Sequence, residues 1–103
     1  MEEYQEGQLW KLEGENSFLF GFTQNALDLS GSVMSVDLAD VGDEYKKGDW
    51  MGEVQGQNST VEIVAPFDLK VLERNMDVID QPTMLEDDPT GDAWVIRAER
   101  QDG

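Results

Sequence analysis

Four lysines (Lys11, Lys46, Lys47 and Lys70), three arginines, two tyrosines and twenty-three carboxylates supply the ionisable side-chain chemistry of this chain. There is no cysteine and no histidine. Ser-His-Asp and Cys-His constellations, thiolate nucleophiles and His-ligated zinc are therefore excluded. No Gly-x-Gly-x-x-Gly or Gly-Lys-Ser/Thr run offers a phosphate cradle. The densest acidic stretch, "EDDPTGD" from Glu86 to Asp92, sets four carboxylates around Pro89 and Gly91. Hard oxygens of this kind suit calcium, but the ligand spacing of an EF-hand loop is missing, and the stretch reads as a solvated turn. No metal site and no catalytic residue is assigned, and the protein is not expected to be an enzyme.

What remains is carboxylates, hydroxyls and four lysines, from which an enzyme could be built although nothing points to one, and a lysine displayed on a turn for modification is a further use. The segment best built to present such a group is "GDWMGEVQGQNSTVEIVAPF", Gly48 to Phe67. Two alternating runs, Trp50 to Gln55 and Thr60 to Ala65, flank a polar tip of Gly56, Gln57, Asn58 and Ser59, which predicts a hairpin lifted towards solvent. Its tip holds no lysine. Gly42-Asp43 and Gly48-Asp49 make two corners before it, and Ala65-Pro66 makes one after it, where the missing proline N–H forbids a central strand. Trp50, Met51 and Phe67, at the base of the hairpin, are expected to fill the core. The Asn58-Ser59-Thr60 triplet has the form of a glycosylation site and reads as coincidence, because "MEEYQEGQ" at the N-terminus is acidic and unlike a secretory or targeting segment.

Elements of period two surround this hairpin. Leu9 to Leu12, Phe18 to Phe22, Ser32 to Leu38, Phe67 to Arg74 and Ala93 to Glu99 read as strands. In Ser32 to Leu38 the alternation places Val33, Ser35 and Asp37 on one face, with Met34, Val36 and Leu38 on the other. Thr23 to Gly31 reads as a short helix with Thr23 as N-cap and Gly31 as its stop. Seven short strands and one helix predict an all-β sandwich or barrel forming a single domain over residues 1–103.

The composition fits that class. With 39% hydrophobic residues, the chain can bury one modest core. A formal net charge of −16 opposes binding to nucleic acid or anionic membranes and favours a basic partner surface. No apolar run approaches the length of a membrane span, and the absence of cysteine suits a reducing cytoplasm.

"GFTQNALDLSGSVMSVDLADVGDEYKKGD", Gly21 to Asp49, resembles the central part of the glycine cleavage system H-protein. Family strands ending Gly-Ile-Thr and Val-Asp-Leu-Pro-x-Val-Gly have their equivalents in Gly21-Phe22-Thr23 and in Val36 to Gly42. The similarity continues through "IVAPFDLKVLERN" (Ile63 to Asn75) and "PTMLEDDPTGDAWVIRAE" (Pro82 to Glu99), and Trp10 matches an aromatic of the first strand. The resemblance implies a lipoyl-type barrel-sandwich hybrid of two small antiparallel sheets. It also implies a lysine at the hairpin tip carrying a lipoyl arm, which shuttles an aminomethyl group between the enzymes of glycine cleavage.

This sequence departs from the family at that point. Counted from Gly48-Asp49 or from Ala65-Pro66, Asn58 stands where the family has its lysine, and Gln55, Gly56 and Gln57 replace the usual Glu-Ser-Val. A carboxamide is neither nucleophilic nor titratable and cannot take lipoate in amide linkage. Val61 replaces a small polar residue, Glu86 replaces an asparagine, and the chain ends soon after the Trp94 strand, where the family usually continues into a helix. The resulting expectation is an unlipoylated, monomeric, cytoplasmic binding module. Gln55, Gly56, Gln57 and Ser59 would form its partner surface, and glycine-cleavage or lipoate-handling enzymes would be its partners. The alternative is an active carrier modified on Lys11, Lys46, Lys47 or Lys70, or one holding its cargo non-covalently.

Overall fold

Nine strands form in the computed structural model, which describes residues 1–101, and alternation of apolar and polar residues marks the longer ones. In chain order they are β1 (Glu2–Tyr4), β2 (Leu9–Glu13), β3 (Phe18–Phe22), β4 (Val33–Leu38), β5 (Glu44–Tyr45), β6 (Trp50–Gly56), β7 (Thr60–Val64), β8 (Leu69–Arg74) and β9 (Ile96–Arg100). Three short helices intervene: α1 (Gln24–Ser30), α2 (Met76–Asp80) and α3 (Met84–Asp87). Every strand pairing is antiparallel. One sheet runs β1-β2-β3-β9-β8-β5 and the other β4-β6-β7, so the architecture is two open antiparallel sheets of unequal size, without a closed barrel. The expected domain includes residues 102 and 103, which lie outside the described residues.

The sheets face each other across one apolar core. Leu9, Phe20, Phe22, Leu69 and Val71 come from the larger sheet, and Val36, Val54, Val61 and Ile63 from the smaller. Trp10 is equally buried but lies outside this cluster, and its indole N–H donates to the Pro89 carbonyl at 3.0 Å. The Glu86–Asp92 turn is thereby fixed to the structure, and Asp88 folds its carboxylate back to accept the Asp92 amide at 3.1 Å.

The α1 boundaries follow the sequence expectation: Thr23 accepts the Ala26 amide, and Gly31 ends the helix at φ 76°. Two more helices, α2 and α3, stand where the sequence suggested none. Asn75 caps α2 through Asp77 N–H and donates to the carbonyls of Asp92 and Trp94 at 3.1 and 2.8 Å. The face assignment in β4 is corrected as well. A register shift between Val33 and Ser35 turns Val33 inward to join Val36 and Leu38, and leaves Met34 69% exposed. A bulge of this kind adds a residue on one strand only, so strict alternation fails across it.

Candidate functional site

The β6–β7 hairpin is held by the register Gln55↔Thr60, Val54↔Val61, Glu53↔Glu62 and Gly52↔Ile63. Met51, Val54, Val61 and Ile63 point into the core, while Glu53, Gln55, Thr60 and Glu62 lie on the solvent face. Gln57, Asn58 and Ser59 form the connecting tip, and all three are exposed. Trp50 does not fill the core as expected. It is 39% exposed, and its indole N–H donates to Glu53 Oε1 at 3.2 Å. Met51 is buried, and Phe67 is half-buried against Phe18 with ring centroids 4.9 Å apart.

The tip is not lifted free; it is seated on the C-terminus of α1. The Asn58 and Ser59 amides both donate to the Ser30 carbonyl, at 2.8 and 3.3 Å, and the Gln57 amide donates to Ser32 at 2.9 Å. The Ser59 hydroxyl reaches the Leu29 carbonyl at 2.8 Å. A helix leaves its last carbonyls without intrahelical donors, and here the hairpin provides them. Two glycines make the seat possible. A Cβ at Gly56 would stand 2.1 Å from the Ser30 carbonyl oxygen, and one at Gly31 would stand 2.8 Å from the Asn58 side-chain amide. Gly31 also holds a positive φ that β-carbon-bearing residues resist.

Asn58 therefore rests against Gly31 with its carboxamide exposed, making no side-chain hydrogen bond among the described residues. Gly31 lines a shallow cleft of about 320 Å³ together with Gln24, Leu27, Asp28 and Glu86. No amine is present at the tip or in this cleft, so neither offers a group for covalent attachment. Gln55, at the end of β6, turns its amide to Glu53 Oε2 at 2.7 Å and accepts from the Ser35 hydroxyl at 3.3 Å.

The four lysines lie elsewhere. Lys46 and Lys47 occupy the corner that opens β6, at the far end of its seven residues from the tip, a span of about 20 Å. Lys46 faces Asp68 at 3.7 Å, and the Lys47 amide donates to the same carboxylate at 2.9 Å. Lys11 is half-buried beside Glu2 at 3.4 Å, over the Phe67 ring. Lys70 lies in β8, opposite Glu44.

Sequence reasoning located Asn58, Gln55, Gly56, Gln57 and Ser59 as one unit, and the fold brings them together. It missed the partners of that unit, Leu29, Ser30 and Ser32, which contribute main-chain carbonyls that any residue would possess. Only Gly31 gave a sequence signal, and that signal was for helix termination.

Comparison with known proteins places this geometry. The chain matches the family described as "Glycine cleavage H-protein" over residues 2–103. It is 31% identical over 93 residues to the glycine cleavage system H protein of Prochlorococcus marinus (strain MIT 9312), covering 90% of this chain and 72% of that one. Identity to the namesake protein of Clavibacter sepedonicus is 36% over 88 residues, covering 85% and 72% respectively. In fold the chain is similar to the crystal structure of a glycine cleavage system H protein from Mycobacterium marinum. The TM-score is 0.84 at 23% identity, over 91% of this chain and 79% of that one.

Proposed function

The chain belongs to the glycine cleavage H-protein family, and from that premise we propose that it carries no lipoyl group and acts as a docking module for enzymes of glycine cleavage or lipoate handling. The observation that carries this reading is Asn58, which occupies the tip of the hairpin where the resemblance puts the modified lysine. Lipoyl attachment needs a primary amine that can be deprotonated and acylated. The Asn58 carboxamide has its lone pair delocalised and cannot serve. The remainder of the hairpin is intact: its register, its outward polar face and its seat on α1 all persist without an attachment point. A fold kept around an absent cargo site favours recognition of the fold itself. No catalytic role is assigned, because the family transports a group that other proteins transform, and the chemistry of such an arm belongs to the cofactor.

The competing carrier reading places the arm on Lys11, Lys46, Lys47 or Lys70, none of which shares the tip with Asn58, or holds the cargo non-covalently. Competition tests the docking reading. The unmodified chain is expected to displace a lipoylated H-protein from purified aminomethyltransferase in a fluorescence-anisotropy assay, with the displacement weakening as salt is added. An excess of the chain that leaves the labelled carrier fully bound to the aminomethyltransferase, and likewise to the glycine decarboxylase and the lipoate–protein ligase, would contradict it.

A further inference from the structure

The smaller sheet buries one face, and among the described residues its other face stays exposed. Outward from β4, β6 and β7 stand Met34, Asp37, Trp50, Glu53 and Glu62, all exposed or half-exposed. The registers Asp37↔Glu53 and Glu53↔Glu62 put three carboxylates in one row across adjacent strands, about 5 Å apart from strand to strand. Like charges directly opposite one another destabilise a sheet. Among the described residues no side-chain ion pair reaches the row; Arg74 of the larger sheet comes as near as the Leu38 carbonyl, at 3.4 Å, and pairs with Asp40. None of the residues in these three strands is Lys or Arg, whereas Lys11, Lys70, Arg74, Arg97 and Arg100 all lie in the larger sheet. The ion pairs Lys11–Glu2, Lys46–Asp68, Arg74–Asp40 and Arg97–Glu73 are all away from this face. Local rules broken without internal compensation tend to mark functional surfaces.

The face is also preorganised. Glu53 is held on both oxygens, by the Trp50 indole at 3.2 Å and by the Gln55 amide at 2.7 Å. Gln55 is in turn held by Ser35 at 3.3 Å. Side chains already ordered lose less freedom on association. An exposed tryptophan beside an ordered carboxylate is the residue type that most often dominates interface energy.

We infer that this outer face is the docking surface of the module, and that its occupant is a positively charged protein surface whose Arg or Lys side chains pair with Asp37, Glu53 and Glu62 around an apolar anchor formed by Trp50 and Met34. The inference rests on the docking reading above and names the surface that performs it. It also distinguishes this face from the tip residues Gln57, Asn58 and Ser59, whose backbone is committed to α1.

A hexalysine peptide, titrated into the isotope-labelled protein and followed by amide shifts, tests the face without any assumption about the natural partner. The largest shifts are expected at the amides of Asp37, Glu53 and Glu62 and at the Trp50 indole. Shifts centred on the Glu86–Asp92 turn, or spread evenly over the acidic surface, would overturn the inference. Binding to the aminomethyltransferase is then compared for the wild type, for D37N/E53Q/E62Q and for E3Q/E13Q/E15Q, which removes as many charges from the larger sheet and its β2–β3 turn. The face variant is expected to bind at least ten-fold more weakly and the control less than three-fold. Equal weakening in the two variants would overturn the face. A wild type that binds hexalysine there but no enzyme of the system would leave the face standing and sink the docking reading. Because neutralising the row relieves repulsion, the face variant is expected to melt no lower than the wild type, so lost binding would not be lost folding.

Discussion

At Asn58 the proposed reading turns on one functional group, a carboxamide in place of an amine, and at Gly56 the absence of a side chain decides where the hairpin sits. A Cβ at Gly56 would collide with the Ser30 carbonyl oxygen, a backbone atom that cannot swing aside. Gly56→Ala is accordingly expected to lift the tip off α1 and to cost about 1–3 kcal/mol, the range for overpacking at a tight contact. Thermal unfolding measures the total, while faster amide exchange at Asn58 and Ser59 than in the core strands would localise it. Unchanged exchange at those two amides would show that they do not depend on the seat. The place of Asn58 at the hairpin tip was legible from the two alternating runs that flank it. The contact of Gly56 with Ser30 was not, since a carbonyl oxygen from a remote helix leaves no mark on residue type. Trp50 was misread for a related reason: an aromatic at the start of an alternating strand suggests a core residue, but the register shift between Trp50 and Gly52 leaves it on the solvent side.

Among the elements, β1 has the most consequence for the hairpin while being the least visible in the sequence. "MEEYQEG" is polar and shows no alternation, yet Glu2–Tyr4 pairs with β2, and Tyr4 and the following Gln5 reach across to the edge strand β7. The Gln5 amide donates to the Glu62 carbonyl at 2.5 Å and accepts from the Val64 amide at 3.1 Å, extending the smaller sheet by one side chain. Gln5 and Glu6 hold φ values of 55° and 59° to make this reach, a conformation uncommon for residues other than glycine. Tyr4 lies between the sheets, its hydroxyl donating to the Val64 carbonyl at 3.3 Å. Burial pushes its phenol well above the ordinary value of 10.0. The folded state thus prefers the protonated phenol, and its contribution is present in full below pH 10 and lost as pH rises above it. Stability is expected to fall steeply above pH 10, and Tyr4→Phe is expected to flatten that fall in a denaturant series. An equally steep decline in the variant would assign the effect to other groups. Strands β3 and β7 were legible because Phe18, Phe20 and Phe22 in one, and Val61 and Ile63 in the other, recur with period two. Helices α2 and α3 were not, because Met76–Asp80 and Met84–Asp87 are too short for a helical period to register. They are set instead by the Asn75 cap and by packing of Val78 and Leu85 into the core.

On the scale of the whole molecule, the net charge of −16 is unevenly placed, with the smaller sheet wholly free of cations. The charge was legible from composition, but its segregation needed the topology that assigns each lysine and arginine to a strand. A long-range field of one sign speeds encounter with a basic partner and weakens with salt, so the molecule as a whole suits recognition, and its hairpin suits presentation. Whether anything is presented at the tip is the central question, and intact mass answers it most directly. The chain and its Asn58→Lys variant would each be incubated with lipoate–protein ligase, ATP and excess lipoate. The wild type is expected to keep the mass of the bare chain, with Lys11, Lys46, Lys47 and Lys70 all unmodified, and the variant to gain one lipoyl group at residue 58. A wild-type chain heavier by one lipoyl group would contradict that expectation and restore the protein to the carriers of its family.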